Sequence, residues 1–174
     1  TFVGAKNDNS GAGLIFDNIT FSGCSYAPPP QITKSFAPDP ITVGATSVLT
    51  FNITNPGGGG YDPMNLTGIA FSDTLPTGLL VATPNGLSGS CGGGAITATA
   101  GSSVISLTGA SLAANGSCTF SVNVLGAAAG LHQNVSGFIS STQSGTNTTS
   151  AGYASDTLLV IAPPIISKAF GVST

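Results

Sequence analysis

The sequence predicts an all-β protein, an antiparallel immunoglobulin-like β-sandwich with extra terminal strands that belong to neighbouring units. Short runs rich in β-branched and aromatic residues recur at regular intervals, and Pro, Gly and Asn turns separate them. No stretch keeps the 3.6-residue period of an amphipathic helix. In addition, one motif near the start of the chain returns near its end.

Nine strands are predicted from the alternation of apolar and polar residues. They cover residues 31–36, 47–54, 66–74, 79–83, 96–99, 104–107, 118–125, 135–141 and 154–161. Residues 127–129 are the only segment that leans towards a helix, and they are too few to form one. The predicted strands therefore belong to a single sandwich.

The repeated motif is PPPQITKSF at residues 28–36, which returns as APPIISKAF at residues 162–170. We interpret residues 28–162 as one module, residues 1–27 as closing strands of a preceding unit, and residues 163–174 as the opening strand of the next repeat. Strands outside the module are candidates for assembly by strand addition. Their residues are Leu14, Ile15, Phe16, Ile19, Phe21, Ile165, Ile166, Lys168 and Phe170.

Charged residues make up only 5% of the chain: three lysines, six aspartates and no arginine or glutamate. Binding to nucleic acid needs clustered Lys and Arg, so we expect no nucleic-acid partner. No apolar run reaches the length of a bilayer span, so we expect no membrane insertion. A surface of uncharged Ser, Thr, Asn and Gly instead favours an extracellular protein.

Two of the three cysteines lie inside the module, in Gly/Ser turns. We interpret Cys91 and Cys118 as a disulfide, which implies an oxidising compartment, whereas two buried thiols are the alternative. Cys24 lies in the preceding unit, and its partner stays open.

Four stretches carry a resemblance to a known kind of domain: ITKSFAPDPITVGATSVLTFNITNP, LTGIAFSDTLPTGL, LAANGSCTFSVNV and NVSGFIS. Together they resemble the immunoglobulin-like conserved-repeat modules, domains of unknown function, of large bacterial surface proteins. The turn from Asp73 to Pro76 is the most specific part. The resemblance covers the module and implies a secreted protein on the bacterial cell surface with no enzymatic activity.

Strand parity places two charged side chains on faces that should be apolar. Lys34 shares a face with Ile32 and Phe36, and Asp73 shares a face with Phe71. A buried Lys and Asp are costly unless they pair or lose their charges.

Three arrangements avoid the cost of burying unpaired charges: a buried ion pair, an exposed Lys34, or an isopeptide bond of the kind found in related surface modules. In the last, neutral Lys34 attacks an Asn carboxamide that protonated Asp73 polarises. Asn134 shares parity with Phe138 and is the first candidate for the acceptor, and Asn55 is the second.

The function that these features favour is structural: a repeat module or subunit of an extracellular bacterial fibre, stalk or adhesin, whose partners are copies of itself or adjacent modules. The alternative is an adhesion module that binds a surface glycan or a host protein through the loop around Tyr61 and Asp62. We predict no catalytic residues, no metal and no cofactor. His132, the single imidazole, lacks an orienting acid in the sequence and is interpreted as an ordinary surface or strand-edge residue.

Overall fold

A computed structural model describes residues 27–57 and 64–171. These residues form thirteen strands and no helix. The strands are β1 (Gln31–Ala37), β2 (Ile41–Thr42), β3 (Thr46–Thr54), β4 (Leu66–Thr74), β5 (Leu79–Val81), β6 (Ser88–Ser90), β7 (Ala95–Ala98), β8 (Val104–Leu112), β9 (Ser117–Gly126), β10 (Gly130–Val135), β11 (Ser140–Ser141), β12 (Gly145–Thr146) and β13 (Ser155–Ile161).

The strands form two layers, which confirms the predicted β-sandwich. One layer has the order β1-β3-β9-β5, with β6 also paired to β9. The other contains β10-β13-β2 and β12-β11-β4-β8-β7, and a bridge between Asp73 and Ser136 connects these two sheets. Among the described strands every pairing is antiparallel except that of β2 with β13.

Apolar side chains from alternate positions of both layers fill the core. In β3 the buried residues are Ser47, Leu49, Phe51 and Ile53, which gives the period of two expected of a strand with one buried face. Phe51 lies 5.1 Å from Phe120 of the same layer and 5.2 Å from Phe71 of the other, measured between ring centroids. The aromatic rings thus join the two layers at the centre.

The prediction of one strand over residues 135–141 is wrong. β10 ends at Val135, and the chain then crosses beside β4, where Gly137 N donates to Ser72 O at 2.8 Å, before β11 begins. β2, β6 and β12 were not predicted, because they have two or three residues each and too few side chains to show an alternation. Residues 127–129 form no helix, because the amides of Ala127 and Ala128 both donate to Gly78 O.

Both predicted assembly strands lie outside the sheets that the structure describes. Leu14, Ile15, Phe16, Ile19, Phe21 and Cys24 lie outside the described residues. The C-terminal segment is described as far as Gly171 and forms no strand over residues 162–171. Its apolar side chains are exposed, with fractions of 94% for Ile165 and Ile166 and 83% for Phe170.

Candidate functional site

Lys34 lies at the middle of β1, the edge strand of its sheet. The burial of β1 alternates, and the inward positions are Ile32, Lys34 and Phe36. Because strand geometry sends every second side chain to the same face, the two apolar neighbours that anchor β1 also commit Lys34 to the interior. Its side chain is 0% exposed.

One side chain of the other layer bonds to this lysine, and a second side chain bonds to that partner. Lys34 Nζ donates to Asp73 Oδ2 of β4 at 3.0 Å, and Asn134 Nδ2 of β10 donates to the same oxygen at 3.0 Å. Asp73 and Asn134 are both fully buried. The cluster thus connects three strands and both layers, and Asp73 is its centre.

Burial lowers the pKa of Lys34 below its usual value of 10.5, because an ammonium group loses its hydration in the interior. The nearby carboxylates of Asp73 and, to a smaller degree, Asp156 act in the opposite direction without cancelling that effect. Compared with an exposed lysine, Lys34 therefore has a larger share of the neutral amine, which is the nucleophilic form of lysine.

Two oxygens of the cluster have no hydrogen-bond partner in the described structure, Asp73 Oδ1 and Asn134 Oδ1. Buried polar atoms are nearly always paired, so two unpaired oxygens in one cluster are unusual. Both atoms are acceptors while Asp73 is ionised, and a proton on the carboxyl group would make one of them a donor.

The other buried asparagines differ from Asn134. Asn55 Nδ2 lies within hydrogen-bond distance of three carbonyls, those of Met64, Leu112 and Ala113. Asn147 donates to Pro30 O at 2.8 Å, and its Oδ1 accepts from the amide and the hydroxyl of Thr149. The hydrogen bonds of these two residues connect backbone segments, and none of them goes to Asp73. The structure therefore places the first candidate acceptor, Asn134, in the cluster and gives Asn55 another role.

The arrangement contains the parts needed for amide formation between two side chains. Neutral Lys34 Nζ can attack Cγ of Asn134, and the Cγ–Nδ2 bond then breaks. The proton lost by Nζ moves through Asp73 to the departing nitrogen, which leaves as ammonia, so atoms and charge balance. Asp73 contacts both nitrogens and is placed to act as this proton shuttle.

Asn134 does not share a buried face with Phe138, although the strand predicted over residues 135–141 implied that it would. Phe138 has the same parity but is 47% exposed, because the strand ends at Val135 before that position. Within β10 the buried face is formed by His132 and Asn134. Asn134 also lies near the end of its strand, not at the head of a strand that starts at residue 135.

Cys91 and Cys118 form a disulfide that ties the turn after β6 to β9. The two sulfurs are therefore joined to each other, as the sequence predicts, and neither is a free thiol. His132 is buried, and its Nε2 lies 2.9 Å from Ala128 O. Of the two alternatives for His132, the surface residue is wrong, because His132 shares the inward face of β10 with Asn134. It does lie in an edge strand, since β10 is the first strand of the sheet β10-β13-β2.

The structure gives less information on the other predicted features of the chain. The loop with Tyr61 and Asp62 lies outside the described residues. Within residues 27–57 and 64–171 no three His, Cys, Asp or Glu side chains gather as metal ligands would. The same part of the chain contains no helix long and apolar enough to cross a membrane.

The fold is shared with solved structures of distant sequence. A cohesin module from a family 33 glycoside hydrolase of Clostridium perfringens has 10% identity and a TM-score of 0.52, with 78% of this chain and 98% of that chain covered. A non-cellulosomal cohesin from Archaeoglobus fulgidus has 12% identity and a TM-score of 0.50, with 75% of this chain and 91% of that chain covered. At such identities the likeness concerns the fold.

At the level of sequence, no curated protein matches this chain. One family model does match it, over residues 30–160, which include the sandwich and all three residues of the Lys34 cluster. The chain therefore belongs to the family described as domain of unknown function DUF7933.

Proposed function

We propose that this protein is a structural repeat module of an extracellular bacterial fibre, stalk or adhesin, and that an amide bond between Lys34 and Asn134 locks the module against force and proteolysis. The observation that carries the proposal is the buried Lys34–Asp73–Asn134 cluster with its two unpaired oxygens. The boundaries 28–162 define the module in this proposal, with residues 1–27 and 163–174 belonging to its neighbours.

The path of the chain suits a unit that is pulled from its two ends. β13 runs alongside β1 in the same direction: Ile32 N donates to Ala151 O, and Phe36 N donates to the carboxylate of Asp156. The chain therefore enters β1 at one pole, near Pro30, and leaves β13 at the opposite pole, near Ile161. Consecutive modules would then follow one another head to tail.

The position of the bond decides how such a unit responds to force. Lys34 lies in the first strand, whereas Asn134 lies in the last strand but three. Tension applied at the two ends would pass from β1 directly to β10 through the amide. Residues 35–133, which include most of both layers, would carry no tension.

Stretching single molecules between flanking reference domains tests this proposal. At ~3.3–3.6 Å per residue, the amide withholds about 350 Å of contour length from residues 35–133. Under reducing conditions we expect the wild-type chain to lengthen by this amount less than the Asn134→Ala variant. Reduction keeps the disulfide from shortening either chain.

The Lys168→Arg variant is the matched control, because it changes a lysine outside the sandwich and should lengthen like the wild type. Wild-type chains that extend as far as Asn134→Ala chains would refute the claim that an amide between Lys34 and Asn134 carries the tension. That result would not contradict the fold or the disulfide.

A second candidate function, adhesion to a glycan or a host protein, has one observation in its favour. Phe138 and Tyr153 form an exposed edge-to-face pair with ring centroids 5.7 Å apart, beside a shallow depression lined by Gln133 and Ser155. Exposed aromatic rings are common in sugar-binding surfaces. A glycan array whose signal survives Tyr153→Ala would remove this pair from consideration.

A further inference from the structure

Asp156 is a second carboxylate at the border of the Lys34 cluster. It lies in β13, where Leu158 and Val160 continue the same inward face and are buried. In the ladder between β10 and β13 the partner of Asp156 is Asn134. Opposed residues of antiparallel strands point to the same face, with Cβ atoms about 4.5–5.5 Å apart. The side chain of Asp156 therefore neighbours the carboxamide that the proposed amide uses.

The carboxylate of Asp156 bonds to the strand that carries the lysine. Its Oδ2 accepts a hydrogen bond from Phe36 N at 2.7 Å. Phe36 follows Lys34 by two residues and shares its inward face. A hydrogen bond from a backbone amide to an ionised carboxylate is roughly twice as strong as one between neutral groups. Asp156 thus borders Asn134 in one direction and holds the backbone of β1 in the other.

This bond fixes β1 on the side that faces away from β3. All register partners of β1 in the described strands lie in β3. On the other side, Ile32 N donates to Ala151 O at 3.1 Å, and Phe36 N donates to Asp156. The two donors lie two residues before and two residues after Lys34. They therefore set the distance of β1 from β13 on both sides of the lysine, and with it the reach of the amine.

A second aspartate makes a similar bond outside the cluster. Leu159 N donates at 2.9 Å to Oδ1 of Asp39, which lies in the turn between β1 and β2. This bond, like that of Asp156, connects the β1–β2 segment to β13 across 120 residues of sequence. Leu159 and Asp39 are both exposed, whereas Asp156 belongs to the inward face. Asp39 therefore offers a matched control, a carboxylate that ties the same segments without bordering Asn134.

We propose that Asp156 is a positioning residue for amide formation, because its bond to Phe36 N holds β1 where Lys34 Nζ can reach Cγ of Asn134. This inference rests on the proposed function, since it concerns the same amide. Asp73 transfers the proton in that reaction, whereas Asp156 acts through the backbone of β1. Without the bond, β1 moves away from β13 and the amine meets the carboxamide less often.

Asp156 also affects the titration of Lys34. Burial lowers the pKa of Lys34, whereas the carboxylates of Asp73 in β4 and, more weakly, Asp156 in β13 raise it. His132, the other titratable group on the inward face of β10, is the same in every variant used below. Removing the charge of Asp156 should therefore lower the pKa of Lys34 further.

The test starts the reaction in full-length chains that have not yet formed the amide. Lys34 is incorporated with a photocleavable group on Nζ, and light removes this group while the chain is unfolded in denaturant. Dilution into buffer starts folding, and mass spectrometry follows the loss of one ammonia. We expect Asp156→Ala to lose ammonia at least about tenfold more slowly than the wild type, because a hydrogen bond to a charged group contributes enough to change a rate by that factor.

Two further variants separate positioning from a general loss of stability. Asp39→Ala should react within about twofold of the wild-type rate, as expected of a change at an exposed position. Asp156→Asn keeps an oxygen that can accept from Phe36 N and removes the charge. Where the amine is neutral it should react at close to the wild-type rate, and the limb of its rate profile that rises with pH should lie at lower pH. A loss of stability alone would not move this limb.

Asp156→Ala chains that fold and react at the wild-type rate would overturn the inference, and so would equal slowing by Asp39→Ala. If Asp156→Ala does not fold, the Asp156→Asn profile decides, and a profile that coincides with that of the wild type overturns the inference. A wild type that loses ammonia no faster than folded Asp156→Ala refutes the positioning role alone. A wild type that keeps its full mass refutes the amide itself, and the role of Asp156 with it.

Discussion

β1 and the C-terminal segment 165–171 carry the same three residues at alternate positions, yet their environments are opposite. Ile32 is 2% exposed and Phe36 7%, whereas Ile166 is 94% exposed and Phe170 83%. β1 pairs with β3 over its whole length, and the segment pairs with no described strand. The pattern of residues defines a strand with one apolar face, but only a neighbouring sheet buries that face.

The same comparison applies to the two lysines. Lys34 has its pKa lowered by burial and its amine held 3.0 Å from Asp73, whereas Lys168 projects from the exposed segment and lies over Phe170. Reactivity in this account belongs to the cluster, not to the lysine. Lys168 would acquire the reactivity of Lys34 only where an Asp73 and an Asn134 surround it.

The largest expected difference is between the Lys34→Met and Lys168→Met variants, in their free energies of unfolding. Lys34→Met removes the amide, and a cross-link that closes a loop of this length stabilises a protein by about 5 kcal/mol. The change also leaves Asp73 buried without a cation, which adds to the loss. We expect a fall of at least about 5 kcal/mol in the free energy of unfolding, measured by denaturant titration.

Lys168→Met should change the same quantity by no more than about 0.5 kcal/mol, the usual range for exposed positions. Similar losses for both lysines would show that Lys34 contributes nothing beyond the properties of a surface residue.

A smaller difference in the free energy of unfolding is expected between the Phe36→Ala and Phe170→Ala variants. Phe36→Ala leaves a cavity between the layers and should cost about 3–5 kcal/mol. Phe170→Ala, at an exposed position, should leave the free energy of unfolding of the monomer within about 0.5 kcal/mol of the wild type. Thermal unfolding of dilute samples provides the comparison, and a large loss for Phe170→Ala would mean that the segment is packed in solution.

The pH dependence of the unreacted cluster should give the smallest effect. The Asn134→Ala variant cannot form the amide and keeps the Lys34 amine. Because burial lowers the pKa of Lys34, the folded state binds fewer protons than the unfolded state between that lowered pKa and 10.5. The free energy of unfolding should therefore rise with pH across this window.

Subtracting the curve of the Lys34→Met/Asn134→Ala double variant isolates the lysine from the other groups that titrate there. A difference curve that falls as the pH increases would mean that the carboxylates outweigh burial.

Strand periodicity was sufficient to predict the sandwich and the inward faces of β1 and β4. Lys34 and Asp73 were found because each interrupts an apolar face that long strands display clearly. The short strands β2, β6 and β12 have too few residues for any period to show. Residues 136–139 were assigned to a strand because their composition does not reveal that Gly137 bonds to Ser72 of β4.

The sequence narrowed the candidate acceptor to Asn134 and Asn55 but could not decide between them. Asn55 directly follows the predicted strand 47–54, and Asn134 directly precedes the predicted strand 135–141. Only the three-dimensional arrangement shows that Asn55 Nδ2 lies within hydrogen-bond distance of three carbonyls, whereas Asn134 bonds to Asp73. The burial of His132 was likewise unpredictable, since the boundaries of β10 decide its face. Long-range pairing across layers carries this information, and local composition does not.

The central claim is that Lys34 and Asn134 are joined, and the most direct test is mass spectrometry of the wild-type chain after denaturation and reduction. The account predicts an intact mass one ammonia below that of the sequence, and a branched peptide that links Lys34 to Asn134 after proteolysis. The Lys34→Arg variant should show the full mass. A wild-type chain at its full mass, with Lys34 and Asn134 in separate unmodified peptides, would contradict the account.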